Sequence, residues 1–429
     1  MRSLGSSTVP SAVHQKLMPA LALALVALAG CGKGGPAPLT GSGPARKLAP
    51  VAAPGAVSVA TRNTTRLGGA DVTDDAAAVA RAVYPGLTAA TRPTAVVVVD
   101  EHNWSAALTA AVLAGAPTNA PILYSEGETL PAVSLQTLTA MRPLGAPRLG
   151  GADVISIGDS GAIPSGDRGE RVPAGTPVAT AAAVARVALA LDGSHAPRQV
   201  IVIDEHASQA LAMPAAGLAA ESGAPILLVS GGRVPAPTAA TLAVLHRPSI
   251  YVIDADAVGH RALAELRRLG PVRVIPSGAA RSASAASRTP AAPVPTLAQA
   301  AVENAIEVAR FTDGAFGFGV KEPGHGLVFA TVGRPLDAPA AALLSATGEY
   351  GPLLLLESAG KVPAPLAHYL ADIQPAYAGT QYPAVRGAYN HGWLIGDETA
   401  IAAVTQAEID SMLEIRPQAT EEASTAPSE

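Results

Sequence analysis

The densest chemistry in this sequence is a triplet that occurs twice, as Asp100-Glu101-His102 and Asp204-Glu205-His206. Carboxylates and imidazoles ligate divalent cations and hydrogen-bond to phosphate-linked ligands. Consecutive residues seldom converge on one ion without further ligands, so no metal site is expected. Both triplets stand as ligand-binding candidates. The alternative is that acids beside a helix start answer its dipole. Trp104 follows the first triplet and has a face on which a sugar could stack, with packing between helix and sheet as the competing role. Arg66 is the remaining candidate. With Arg142, Arg148, Arg168, Arg171, Arg233 and Arg247 it lies in or near turns, and a guanidinium is the natural two-pronged partner of a phosphate. No catalytic constellation accompanies these residues. Gly-x-Ser-x-Gly, His-Glu-x-x-His, a Walker loop and a Cys-His pair are all missing, and Ser160, between Asp159 and Gly161, reads as a turn residue. Neither enzymatic activity nor a cofactor is expected.

The elements that must position these residues repeat along the chain. Val96-Val97-Val98-Val99 before the first triplet matches Val200-Ile201-Val202-Ile203 before the second, at an offset of 104. The same offset relates Ala120-Pro121-Ile122-Leu123 to Ala224-Pro225-Ile226-Leu227, and Leu130-Pro131-Ala132 to Val234-Pro235-Ala236. A looser third copy has Gly326-Leu327-Val328-Phe329-Ala330, Gly351-Pro352-Leu353-Leu354-Leu355-Leu356 and Lys361-Val362-Pro363-Ala364-Pro365. It carries insertions at about 282–295 and 311–326. Continuous β-branched runs bounded by charge predict strands buried on both faces. In the first copy they are followed by a helix over 104–115, a strand over 122–124, a helix opened at Pro131 and a strand over 154–157. Strands alternating with helices at these lengths predict α/β units with parallel sheets, Rossmann-like or flavodoxin-like. The triplets then lie just past the carboxyl ends of strands, where open α/β sheets bind ligands.

Composition narrows the function classes. The net charge is −5, and setting aside Arg2 and Lys16 of the first segment makes it −7, which argues against nucleic-acid binding. Two Trp, eight Tyr and four Phe leave few residues for an aromatic sugar-binding groove.

The amino end carries an address. Arg2, His14 and Lys16 precede an apolar run over 17–29, too short to span a bilayer and suited to a signal peptide. It ends in Leu28-Ala29-Gly30-Cys31, which resembles the bacterial lipobox. The resemblance implies cleavage between Gly30 and Cys31 and lipid, palmitate included, on the cysteine. Cys31 is the sole cysteine, so no internal disulfide is available to the fold. The expected organisation is a leader over 1–30, a Gly/Pro/Ala-rich tether over 31–60, repeats over 61–172, 173–281 and 282–415, and a disordered acidic tail over 416–429.

The opening segment Thr65-Arg66-Leu67-Gly68-Gly69-Ala70-Asp71 precedes a helix over 76–82. The Ala-Pro-Ile-Leu strand has a trailing Leu-Pro turn, and Ile155-Ser156-Ile157-Gly158-Asp159-Ser160-Gly161-Ala162-Ile163 reads as a closing strand. Its counterparts are Tyr251-Val252-Ile253-Asp254 and Trp393-Leu394-Ile395-Gly396-Asp397. In order and recurrence these motifs resemble the cell wall-binding repeat 2 family over about 62–413. The resemblance implies three α/β modules around a pseudo-threefold axis and non-covalent binding of anionic wall polymer between modules. The family's Asp-Ala after the first strand survives in the third copy, at Asp337-Ala338. The expected function is therefore a lipid-anchored protein on the outer face of the cell membrane. Its partners are wall polymer, the membrane through lipid on Cys31, or another envelope protein. An extracytoplasmic solute-binding lipoprotein is the alternative.

Overall fold

The computed structural model describes residues 59–158, 163–193, 198–278, 295–346, 351–377 and 389–417. Gly30, Cys31, the leader and most of the tether lie outside them, as do Asp159–Ala162 of the closing segment and most of the 282–295 insertion. Numbered along the chain, a short antiparallel pair, β1 (Val59–Ala60) and β2 (Thr64–Leu67), is followed by α1 (Val72–Val83). Then come β3 (Val96–Asp100), α2 (Trp104–Ala110), β4 (Ile122–Ser125), α3 (Ala132–Met141), β5 (Val154–Ile157) and β6 (Gly169–Val172). The succession returns as α4 (Pro177–Asp192), β7 (Gln199–Asp204), α5 (Gln209–Ala212), α6 (Pro214–Ser222), β8 (Ile226–Val229), α7 (Ala236–Val244), β9 (Ser249–Val252), α8 (Ala255–Leu269) and β10 (Val272–Val274). It returns again as α9 (Leu297–Arg310), β11 (Gly326–Thr331), α10 (Asp337–Ala346), β12 (Leu353–Leu356), α11 (Ala364–Asp372), β13 (Ala376–Tyr377), β14 (His391–Ile395), α12 (Ala403–Leu413) and β15 (Arg416–Pro417).

Three sheets share one strand order. The first runs β4-β3-β5-β6, the second β8-β7-β9-β10 and the third β12-β11-β14-β2-β1, all parallel except the β1–β2 pair. The α/β class expected from the alternation of elements is what the chain adopts. The first-strand runs are buried on both faces, with Val96 through Val99 at 0% exposure, which is why they are continuously apolar rather than alternating.

The third sheet is completed from the far end of the chain. β2, the opening strand of the expected 61–172 segment, does not join the sheet of that segment. It pairs with β14, Leu394 opposite Arg66 and Ile395 opposite Leu67. β6 and β10 fill the equivalent outer position in the first and second sheets from within their own stretches. Helices α1, α4 and α9 each follow such an outer strand and cross to the next sheet, packing on β4, β8 and β12 respectively.

The centre is built from small residues. α2 ends at Ala110 and tightens into a 3-10 turn over Ala111–Ala114, where one longer α-helix was expected. This turn, α6 and α10 pack on one another. A Cβ on Gly115 would sit 1.9 Å from the carbonyl oxygen of Ala220. The alanines of these elements, among them Ala110, Ala114, Ala216, Ala219 and Ala341, are buried. Backbones approaching this closely account structurally for part of the alanine content.

Helix starts follow the capping chemistry in the sequence. Asp71 caps α1 through the N–H of Asp74, Thr176 caps α4 ahead of Pro177, and Thr296 and Gln299 form a capping box on α9. Pro131, Pro235 and Pro363 occupy the cap position itself, so each helix begins one residue later than a proline in the first turn would place it. The insertion near 311–326 folds back on the second sheet, where Phe316 stacks on Tyr251 at 3.7 Å between ring centroids. At the carboxyl end, Arg416–Pro417 pairs in parallel with Ala376–Tyr377, so the expected tail has its first two residues in a strand. The rest of it lies outside the described residues.

Candidate functional site

Each Asp-Glu-His triplet turns the chain at the carboxyl end of a central strand. Asp100 and Asp204 are the last residues of β3 and β7, opposite Ser125 and Val229 on the neighbouring strands. Their side chains fold back on the backbone. Asp100 Oδ1 accepts the N–H of His102 at 3.0 Å, and Asp204 Oδ1 accepts that of His206 at 2.9 Å. The aspartates therefore build the turn, a local role any short acceptor can fill. The His102 imidazole Nδ1 lies 3.1 Å from Asp100 Oδ1. Burial alone would push the Asp100 carboxyl up, but the N–H and imidazole of His102 and the N–H of Gly127 outweigh it and hold it below the ordinary carboxylate range. The hydrogen bond to Asp100, and then its charge, raise the His102 imidazole.

The glutamates distinguish the two turns. Glu101 accepts a hydrogen bond from Thr73 Oγ1, in the first turn of α1, at 3.0 Å, which bridges the first crevice. Glu205 accepts from Ser230, and a cavity of about 610 Å³ remains between this pair and α4. Thr176, Pro177 and Val178 line one side of it. His206, Pro235 and Pro237 line the other. The His206 side chain is 76% exposed. α1 carries Asp74 and Asp75 in its first turn, whereas the first turns of α4 and α7 carry no acid. The positive end of α4 thus meets the second crevice with no acid in its own first turn, and the carboxylate bordering the opening is Glu205, 3.7 Å from His206 Nδ1.

The other candidates fall elsewhere. Arg66 is buried, and its five guanidinium N–H groups are all engaged. Nε and Nη2 donate to Gln406 Oε1 at 3.1 and 2.9 Å, Nη1 to the carbonyls of Gly396 and Asp397 at 2.9 and 2.7 Å, and Nη2 to that of Ile401 at 2.7 Å. It clamps β2 to the end of β14 and is closed to a phosphate, a correction to its place among the ligand candidates. Desolvation lowers its pKa, with Glu398 and Asp397 opposing. Trp104 is half-buried against the central core beside its cap residue Asn103, which matches packing better than sugar stacking. Trp393 packs on the same core, edge-on to His391. Arg168 pairs with Asp153, Arg233 with Glu265, and Arg247 donates to the carbonyl of Arg268. Ser160 lies outside the described residues. Among those described, no three His, Cys, Asp or Glu side chains converge as metal ligands.

Thr176, Ser230 and Pro237 were not singled out from the sequence, and Pro235 entered only as part of a repeat anchor. The Thr176-Pro177 pair ahead of an alanine-rich run is a readable helix start, and Ser230 is reached by carrying the triplet's strand across to its neighbour.

Residues 66–166 match the family model described as Cell wall binding domain 2 (CWB2). No curated protein matches the sequence. Among solved structures, Cwp8 from Clostridium difficile is similar with a TM-score of 0.58 at 17% identity, over 82% of this chain and 53% of that one. Cwp6 from Clostridium difficile is similar with a TM-score of 0.59 at 18% identity, over 82% of this chain and 48% of that one. This chain therefore spans about half the length of either structure, and at these identities the likeness speaks for the fold.

Proposed function

We propose that this chain, in which residues 66–166 match a cell wall binding domain, is a cell-surface protein that binds an anionic wall polymer without catalysing a reaction on it. In this reading lipid on Cys31 fastens it to the outer face of the membrane, and residues 31–60 set the folded body off from it. The observation that carries the reading is the second crevice, where the exposed His206 and the acid-free first turn of α4 flank an opening of about 610 Å³. A polymer phosphate or carboxylate would be met by the helix end and the imidazole, and sugar hydroxyls by Glu205 and Ser230. The first crevice, bridged by Thr73 and Glu101, is the weaker of the two.

The test is co-sedimentation of the chain from residue 31 onward, with Cys31→Ser, on walls of its own organism before and after chemical removal of the anionic polymers. Binding is expected to disappear with the polymers, to weaken with salt, and to drop roughly fivefold in His206→Ala. No sedimentation on intact walls would overturn the reading. The volume of the crevice also suits a small solute. That alternative predicts saturable thermal stabilisation by a defined ligand in place of wall binding.

A further inference from the structure

Away from the crevices, the strand ends of the third sheet enclose a charged cluster within the molecule. Asp75 on α1 and Asp337 at the start of α10 are both fully buried, and Arg334, after β11, lies between them. Arg334 Nη2 donates to Asp75 Oδ2, and its Nε lies 3.3 Å from Asp337 Oδ2. The second Asp75 oxygen accepts the N–H of Gly69 at 2.7 Å. Asp337 has no such donors among the described residues, for both its oxygens are buried without a hydrogen-bond partner there. Two ionised carboxylates facing one guanidinium would leave an uncompensated buried charge, which is strongly unfavourable. One proton between them removes that charge and provides the hydrogen bond that Asp337 otherwise lacks.

We propose that Asp75 and Asp337 share one proton in the folded chain and form a pH-sensitive latch that fastens β2 and α1 to the third sheet. The pair holds the proton jointly: donors reach both oxygens of Asp75, and Asp337 depends on the shared proton for its hydrogen bond. The cluster lies where β2, β14 and β11 end side by side. Gly68, at φ +143°, leaves space there that a Cβ would take from Asp75 Oδ1 and from the backbone of Gly396. Other titratable groups nearby are few. Tyr124 on β4 directs its hydroxyl to the carbonyl of Leu336 at 2.6 Å, and Asp397 after β14 acts on Arg334. The sequences of α2, α3, β11 and β12, and of α6 before Glu221, contribute no charge.

Burial raises both carboxyls, and the mutual repulsion of the pair raises Asp75 further. An aspartate whose folded pKa is raised holds a proton that the unfolded chain has lost above about pH 4. Stability from this pair is therefore fully present at acid pH and declines as pH rises through the raised value. When the proton leaves, repulsion between the two anions loosens the hold of α1 on α10.

The test compares thermal midpoints of the full chain and Asp337→Asn between pH 5 and pH 9. The Asn amide is a neutral hydrogen-bonding partner for Asp75 with no proton to lose. The midpoint of the natural chain is expected to fall relative to the variant by about 2 °C per pH unit across the titration. Parallel curves would overturn the proposal. Should the variant not fold, the infrared band of a protonated carboxyl in the natural chain at pH 7, assigned with labelled aspartate, decides. Its presence supports the shared proton and its absence overturns it.

Discussion

Arg66 and the two aspartates of the triplets share a lesson about polar residues at strand ends. Each has the chemistry of a ligand-binding group, and each is engaged by the chain itself. Asp100 and Asp204 close turns on their own backbone, leaving Glu205 and His206 as the side chains that reach the second crevice. Arg66 holds three carbonyls and Gln406. Arg66→Ala is expected to cost about 3 kcal/mol in urea or thermal unfolding, because these buried acceptors lose their donors together. Arg66→Lys should recover only part of it, since an ammonium cannot span the same acceptors. Wall binding by the folded fraction should be unchanged in both variants, which separates the clamp from the crevice.

At the scale of elements, the central contacts decide which residues are tolerated. Gly115 is not in a left-handed conformation. It is glycine because the carbonyl of Ala220 occupies the space of its side chain. Gly115→Ala is expected to destabilise by about 2 kcal/mol or more, since the obstructing atom belongs to a helix backbone and cannot rotate away. Gly333→Ala has open space around its Cβ and serves as the control, with a change within about 0.5 kcal/mol. Equal effects in thermal unfolding would count against tight central packing. The alternation of helices and strands was readable from periodicity, and β5 falls over the 154–157 segment expected. The 3-10 turn after α2 was not readable, because alanine suits both helices and only the close neighbour α6 selects the tighter one.

For the whole molecule, the consequential feature is the closure of the third sheet by β2. Removing residues 59–67 takes away both the strand and the Arg66 clamp. Amide exchange at His391–Ile395 is then expected to accelerate strongly, while Val96–Asp100 in the first sheet keeps its protection. Equal loss in all three sheets would mean that the closure stabilises the whole assembly rather than one edge of it. For the same reason the 61–172 segment expressed alone should hold its β2 unpaired.

The sequence by itself determined the α/β class, the recurrence of strand and helix at an offset of 104 and the placing of both triplets at strand ends. These follow from local periodicity and repetition, and both are written in the order of the residues. The tertiary structure alone decided the partner of β2, the burial of Arg66 and the meeting of Asp75 with Arg334, 259 residues away in the chain. It also decided which of two identical triplets borders an open crevice, since that rests on which helix end arrives opposite. The physical reason is the same in each case. A side chain's hydrogen-bonding capacity belongs to the residue, but what it bonds to, and whether water reaches it, depends on segments brought together only by folding.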